Sequence, residues 1–138
     1  QERSRRRATD QQRAREITTD FERFLKGWQR LPLFESPAAG NEQTQQKYRN
    51  IQREQSPEAL AASLRGFGTG SMRPCCDELP SLTLPVLLMA GSNDKKYRQI
   101  NRRLVQQFPN AHFTSPEAGH RIHLDNPSAF INEVKSFI

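Results

Sequence analysis

Nowhere in this 138-residue chain does the sequence read Gly-x-Ser-x-Gly, the tight strand-to-helix turn that presents a nucleophilic serine; Gly68-Thr-Gly70-Ser71 comes nearest, without the spacing or a preceding strand. Cysteine is scarce, and its two copies, Cys75 and Cys76, are adjacent. Neighbouring thiols rarely pair with each other, and with no His or Cys at ligand spacing they make neither a disulfide framework nor a zinc site, so no metal is expected. They are expected to be small, half-buried loop residues. No apolar run approaches the length a bilayer demands, so no membrane partner is expected.

Acidic residues are also in deficit: 15 Asp and Glu stand against 21 Lys and Arg, a formal charge of +6. Much of the excess lies in Arg3, Arg5, Arg6, Arg7, Arg13 and Arg15. A solvated helix face, a nucleic-acid arm and a wall of an anionic substrate site compete for these arginines. No aromatic residues are interleaved with them and no binding motif follows, so nucleic acid is not expected as a partner. Most of them fit a solvated face. The chain opens at Gln1, without an initiator methionine or the apolar segment of a signal peptide. The expectation is a cytoplasmic protein whose sequence here begins mid-chain.

What is present divides at about residue 80. Residues 2 to 16 suit an exposed helix with a narrow apolar stripe. Thr19-Asp-Phe-Glu22 has capping-box spacing and predicts a second helix with Phe21, Phe24, Leu25 and Trp28 on one face, stopped at Leu31-Pro32. Residues 35 to 42 form a loop by composition, and a polar helix follows over about 42 to 54. Ser56-Pro57 reads as an N-cap with proline at the first helical position, opening a helix with Leu60, Leu64 and Phe67 inward that ends at Gly66 or Gly68. This run of helices, 1–79, has no sheet of its own to cover and reads as a cap or lid.

From Pro80 strands alternate with helices. A strand is expected at Val86–Ala90, apolar at every position as in a parallel strand covered on both faces. A helix over about 95 to 108 with Tyr97, Ile100, Leu104 and Val105 inward follows, then a strand over Ala111–Thr114. A last helix from Pro127 buries Phe130, Ile131, Val134, Phe137 and Ile138. Such alternation indicates βαβ units and a parallel sheet, so 80–138 reads as a βαβα part of an α/β core. Two strands do not complete a sheet, and strand neighbours are expected from a missing N-terminal half.

Two side chains sit where parallel sheets place chemistry, just past the carboxyl ends of strands: Asp94 after the first and His120 after the second. An imidazole serves as a base near neutral pH when its tautomer and orientation are fixed, and a carboxylate on the proton-bearing nitrogen does both. Asp94 would orient and His120 would move the proton, with Gly119 allowing a tight turn before the ring. Alone, Asp94 could be a helix N-cap and His120 a surface turn residue; their joint placement favours the pair. His112 and His123 read as packing residues, His123 close enough to His120 to line a pocket. An acid and a histidine so arranged resemble two triad members of an α/β-hydrolase.

The segments Gly27-Trp28-Gln-Arg-Leu-Pro-Leu-Phe34, Pro57-Glu-Ala-Leu-Ala-Ala-Ser-Leu-Arg-Gly-Phe-Gly-Thr-Gly70 and Ala118-Gly-His-Arg-Ile-His-Leu-Asp-Asn-Pro127 carry a closer resemblance, to the 2-succinyl-6-hydroxy-2,4-cyclohexadiene-1-carboxylate synthases of menaquinone and phylloquinone biosynthesis. The resemblance spans nearly the whole chain and implies the C-terminal part of an α/β-hydrolase fold, a helical cap followed by the last parallel strands and helices. It implies a cofactor-free lyase that eliminates pyruvate from a succinylated enolpyruvyl-cyclohexene carboxylate, with a serine, absent from this chain, acting as base under the histidine.

Asp94 and His120 match the triad acid and histidine of that family. Arg6, one helical turn before Asp10 and flanked by Arg5 and Arg7, resembles an arginine that grips a carboxylate of the polycarboxylate substrate, a task that the planar guanidinium suits. Trp28 resembles the family's cap tryptophan, although its face shared with Phe21, Phe24 and Leu25 also fits plain core. A second cap arginine is expected near Gln52, where this chain has Gln52 followed by Arg53. The chain alone is expected to be inactive. Two other readings stay open: an ester or carbon–carbon bond hydrolase of the same fold, and a truncated, non-catalytic basic module.

Overall fold

The structure, a computed structural model, describes residues 1–34 and 42–138. The loop expected over 35 to 42 lies outside the described residues except for Glu42, which opens a helix. The described residues form seven α-helices, three 3₁₀ turns and two strands. They divide into two compact units, one of Gln1–Arg30 with Gln46–Pro74, the other of Leu31–Gln45 with Cys75–Ile138.

In the first unit, α1 (Glu2–Thr19) is polar over most of its surface and buries only Asp10, Ala14 and Ile17, spaced four and three residues apart on one stripe. That stripe packs on α4 (Pro57–Phe67). Ala14 and Ala61, both without exposed surface, let the two helices approach closely, and Phe21, Phe24, Leu60 and Leu64 close around Ile17. Between them run α2 (Phe21–Gln29) and the greater part of α3 (Glu42–Arg53).

The caps follow the sequence with one correction. Asp20, and not Thr19, caps α2: its carboxylate accepts from the Arg23 amide at 3.0 Å, while Thr19 still belongs to α1. Ser56 caps α4 by accepting from Ala59 N at 3.1 Å, with Pro57 at the first position where no backbone donor is needed. Gly68 ends α4, and a side-chain carbon there would strike the Leu64 carbonyl oxygen and come within 2.6 Å of Asp10 Oδ2. Arg3 and Arg7 donate to the carbonyls of Met72 and Gly70, tying the segment after Gly68 back to α1.

In the second unit, β1 (Val86–Met89) and β2 (Ala111–Thr114) pair in parallel, Val86 opposite Ala111 and Met89 opposite Thr114. They are joined through α5 (Lys95–Leu104), which passes into a 3₁₀ turn over Val105–Gln107. After β2 come α6 (Ile122–Asp125), a short helix that the sequence pattern did not predict, and α7 (Pro127–Phe137), capped by Asn126.

Several apolar residues expected inside are at the surface. Phe67, Ile131 and Ile138 are 76%, 47% and 96% exposed, and Tyr97, Ile100 and Phe137 are exposed as well. Helical spacing puts these residues on one side of their helices, but no described segment packs over them. Phe130 and Val134 are half-buried, as is every residue of β1. Cys75 and Cys76 are free thiols and exposed rather than half-buried, at the start of a 3₁₀ turn over Cys76–Ser81. No described helix is long and apolar enough to cross a membrane.

Candidate active site

The loops that follow β1 and β2 are stitched together by backbone. Ala90 N donates to Thr114 O at 3.3 Å, Ser92 N to Pro116 O at 2.8 Å and Asn93 N to Ala118 O at 3.0 Å. This side-by-side course requires glycine at 91, because a side-chain carbon there would collide with the carbonyl oxygens of Gly119 and Ala118. The requirement is one of space. No described glycine has positive φ, so Gly119 does not serve the turn by visiting the left-handed region, contrary to the reading of the sequence. Instead, its amide donates 2.8 Å to the carboxylate of Asp125, which anchors the turn before His120 in the protein interior.

Asp94 and His120 meet across these loops, Oδ2 of the acid 2.6 Å from Nδ1 of the ring. The other carboxylate oxygen, Oδ1, accepts from the Tyr97 amide at 3.1 Å and so caps α5. Capping and histidine orientation, which compete as readings of the sequence, are both present, one on each oxygen. The acid side chain is 7% exposed and the histidine 28% exposed, so the pair is shielded on the acid's side and open on the imidazole's. An ionised carboxylate only accepts, so a neutral ring in this place would carry its hydrogen on Nδ1 and present Nε2 as an acceptor. The ring is further bounded by Tyr97 at 4.9 Å and Phe34 at 6.1 Å between centroids, and the Arg121 guanidinium lies over the Phe34 ring, 5.0 Å from its centroid. A ring held in that tautomer has the chemistry of a general base.

The remaining predicted residues lie in the first unit. Arg6 spans both carboxylate oxygens of Asp10 through Nε, at 2.9 and 3.0 Å. Asp10 is 2% exposed, a buried acid at a position the sequence pattern treated as solvated helix surface. Arg53 lies 3.4 Å from Glu22, both side chains well exposed. Trp28 stacks on Phe24 at 5.8 Å and 22°, and Arg13 lies 5.1 Å over its ring. Trp28 and Arg13 line an open pocket of about 260 Å³ with Gln52, Gln55 and Leu60, whereas neither Arg6 nor Arg53 does. His112 and His123 are exposed, His123 edge-on to Phe130.

Two residues of this geometry were not singled out in the sequence. Asp125 stands in the Ala118–Pro127 segment without a role assigned from sequence, though an acid five residues past His120 is within reach of the same loop. Arg13 was counted with the solvated arginines, although it falls on the turn of α1 that follows Asp10.

The class of architecture is now defined: two parallel strands linked by a helix, an acid and a histidine paired past their carboxyl ends, and helices preceding them are the C-terminal part of an α/β-hydrolase fold. An esterase from Exiguobacterium antarcticum has this fold, with a TM-score of 0.75 and 20% identity over 95% of this chain and 47% of its own. The structure of MenH from S. aureus agrees far more closely, with a TM-score of 0.94 and 30% identity over 99% of this chain and 52% of its own.

Within that fold the chain is related to the 2-succinyl-6-hydroxy-2,4-cyclohexadiene-1-carboxylate synthases, as the sequence resemblance implied. It is 32% identical over 119 residues to a Bacillus subtilis protein given that name provisionally, and 27% identical over 120 residues to the synthase of Serratia proteamaculans. The aligned part is 86% and 83% of this chain but only 43% and 42% of those relatives, so the chain spans less than half their length. No family model matches the chain.

Proposed function

We propose that this chain is the C-terminal part of a cytoplasmic lyase that eliminates pyruvate from a succinylated enolpyruvyl-cyclohexene carboxylate, giving 2-succinyl-6-hydroxy-2,4-cyclohexadiene-1-carboxylate. Residues 1–79 act as the cap and 80–138 as the end of the core. The observation that carries the reading is the 2.6 Å contact of Asp94 with His120 Nδ1, joined to the relatives' shared name.

In this reading Asp94 holds the imidazole and the free Nε2 accepts a proton from a serine supplied by the N-terminal half of the same fold. The serine oxygen then takes a ring proton of the substrate. The electrons of that C–H bond form the new ring double bond, the C–O bond to the enolpyruvyl group breaks, and pyruvate departs as its enolate. The acceptor at Nε2 works only while Nδ1 stays bound to the carboxylate, which is why acid and base must come as a pair. Trp28 and Arg6 form the cap's contribution to binding a polycarboxylate; Arg53, expected beside Gln52 to share that task, is paired with Glu22 instead. Without the serine the chain alone is inactive.

The test is to extend the chain at its N-terminus with a segment carrying a Gly-x-Ser-x-Gly turn and to measure pyruvate release. His120→Ala is expected to lower turnover by about a thousandfold or more, the scale of triad removal. Wild-type turnover in that variant sinks the role given to the histidine. Release of an acid and an alcohol, or of two carbon fragments, in place of pyruvate assigns the protein to the hydrolases of the same fold.

A further inference from the structure

We infer that Arg13, and not Arg53, is the cation that receives a carboxylate of the cyclic ligand in the pocket beside Trp28. The inference rests on the proposed substrate and on the reading of Trp28 as a ligand contact, and adds the residue that holds the carboxylate.

Distances decide between the arginines. Asp10 is the acid nearest Arg13, but Arg6 already spans both of its oxygens at 2.9 and 3.0 Å, while Arg13 stands 4.0 Å from Oδ1, beyond hydrogen-bonding range. Among the described residues Arg13 has that distant acid and the Trp28 ring as its charge partners, and its side chain is 29% exposed. Its charge is thus held at the pocket wall with its hydrogen-bonding fork unspent. Arg53, by contrast, pairs with Glu22 and does not line the pocket.

The rest of the wall specifies the body of the ligand. Phe24 and Trp28 are stacked, and with Ile17, Leu25 and Leu60 they line the pocket with apolar side chains. Gln52 and Gln55 bring amides to the same pocket. The volume of about 260 Å³ lies at the small end of ligand cavities, room for one ring and its substituents. An apolar wall with one guanidinium at its edge matches a ring bearing a carboxylate, because the fork can bind both oxygens while the ring packs against the apolar side chains.

Trp28 is the single tryptophan of the chain, so its fluorescence reports on this pocket directly. The 138-residue chain is titrated with cyclohexanecarboxylate, and with cyclohexanecarboxamide as the uncharged counterpart. A saturable change is expected for the carboxylate, with affinity about tenfold or more above that of the amide, and Arg13→Met is expected to erase that advantage. Arg13→Lys, which keeps the charge but loses the fork, falls between, and it decides the matter if Arg13→Met loses its helical circular dichroism. Arg53→Gln is expected to change affinity by less than about twofold, as an exposed pair allows. No saturable signal, equal affinity for the amide, undiminished binding in both Arg13 variants, or a loss in Arg53→Gln matching that in Arg13→Met would overturn the inference. Because the readout is binding and not turnover, failure of the pyruvate assay strikes the elimination chemistry, and failure here strikes the assignment of Arg13 and its pocket.

Discussion

Gly91 lies against the backbone of Gly119 so closely that a side-chain carbon on the former would overlap the carbonyl oxygen of the latter. The contact locks together the two loops that carry Asp94 and His120, so a residue with no functional group of its own sets the distance between two that have them. Packing of backbone on backbone leaves no flexible side chain to yield.

Gly91→Ala should therefore force the loops apart. A destabilisation of about 1–3 kcal/mol is expected from overpacking, read as a lower urea midpoint with an unchanged slope. Gly27→Ala, where open space surrounds the added carbon, is the control and should leave the midpoint unchanged or raise it slightly.

The pair of Arg6 and Asp10 is asymmetric, with side chains 46% and 3% exposed. Removing the arginine leaves a buried carboxylate without its main partner, whereas removing the acid frees a guanidinium that already reaches water. Arg6→Gln should consequently cost more than Asp10→Asn, the former about 2–3 kcal/mol and the latter about 1 kcal/mol. Equal losses by chemical denaturation would contradict this account of the buried acid.

Ser56 accepts from Ala59 N at the start of α4, the helix on which the stripe of α1 rests. Ser56→Ala should lower stability by about 1 kcal/mol and Ser56→Asp by much less, since the aspartate retains an acceptor. Thermal unfolding of the two variants side by side gives the comparison.

Much of this was legible because it is written in local chemistry. Ser56-Pro57 marks a helix start wherever it occurs before an apolar repeat, and the α4 start falls there. The strands at Val86–Met89 and Ala111–Thr114 stand out because their apolar runs are short and bounded by turn residues. Asp94 and His120 were legible as a pair since position after a strand is a property of the chain.

Burial was harder to read. Asp10 is buried because Arg6 and the approach of Gly68 enclose it, and neither contact leaves a trace in the periodicity of a polar helix. Phe67, Ile131 and Ile138 are apolar yet exposed, since hydrophobicity states that a surface prefers cover and not that a described segment provides it. Thr19 lost the cap to Asp20 because α1 continues through it, a competition between adjacent helices that a capping pattern does not encode.

The central claim is that Asp94 fixes the tautomer of His120, and nitrogen-15 NMR of the three histidines in the chain at mildly alkaline pH tests it most directly, with His120→Gln providing the assignment. The account expects the hydrogen of His120 on Nδ1 and none on Nε2. In Asp94→Asn, which keeps an oxygen to cap α5, the hydrogen should move to Nε2. A wild-type His120 with its hydrogen on Nε2, or one whose tautomer is indifferent to Asp94→Asn, would contradict it.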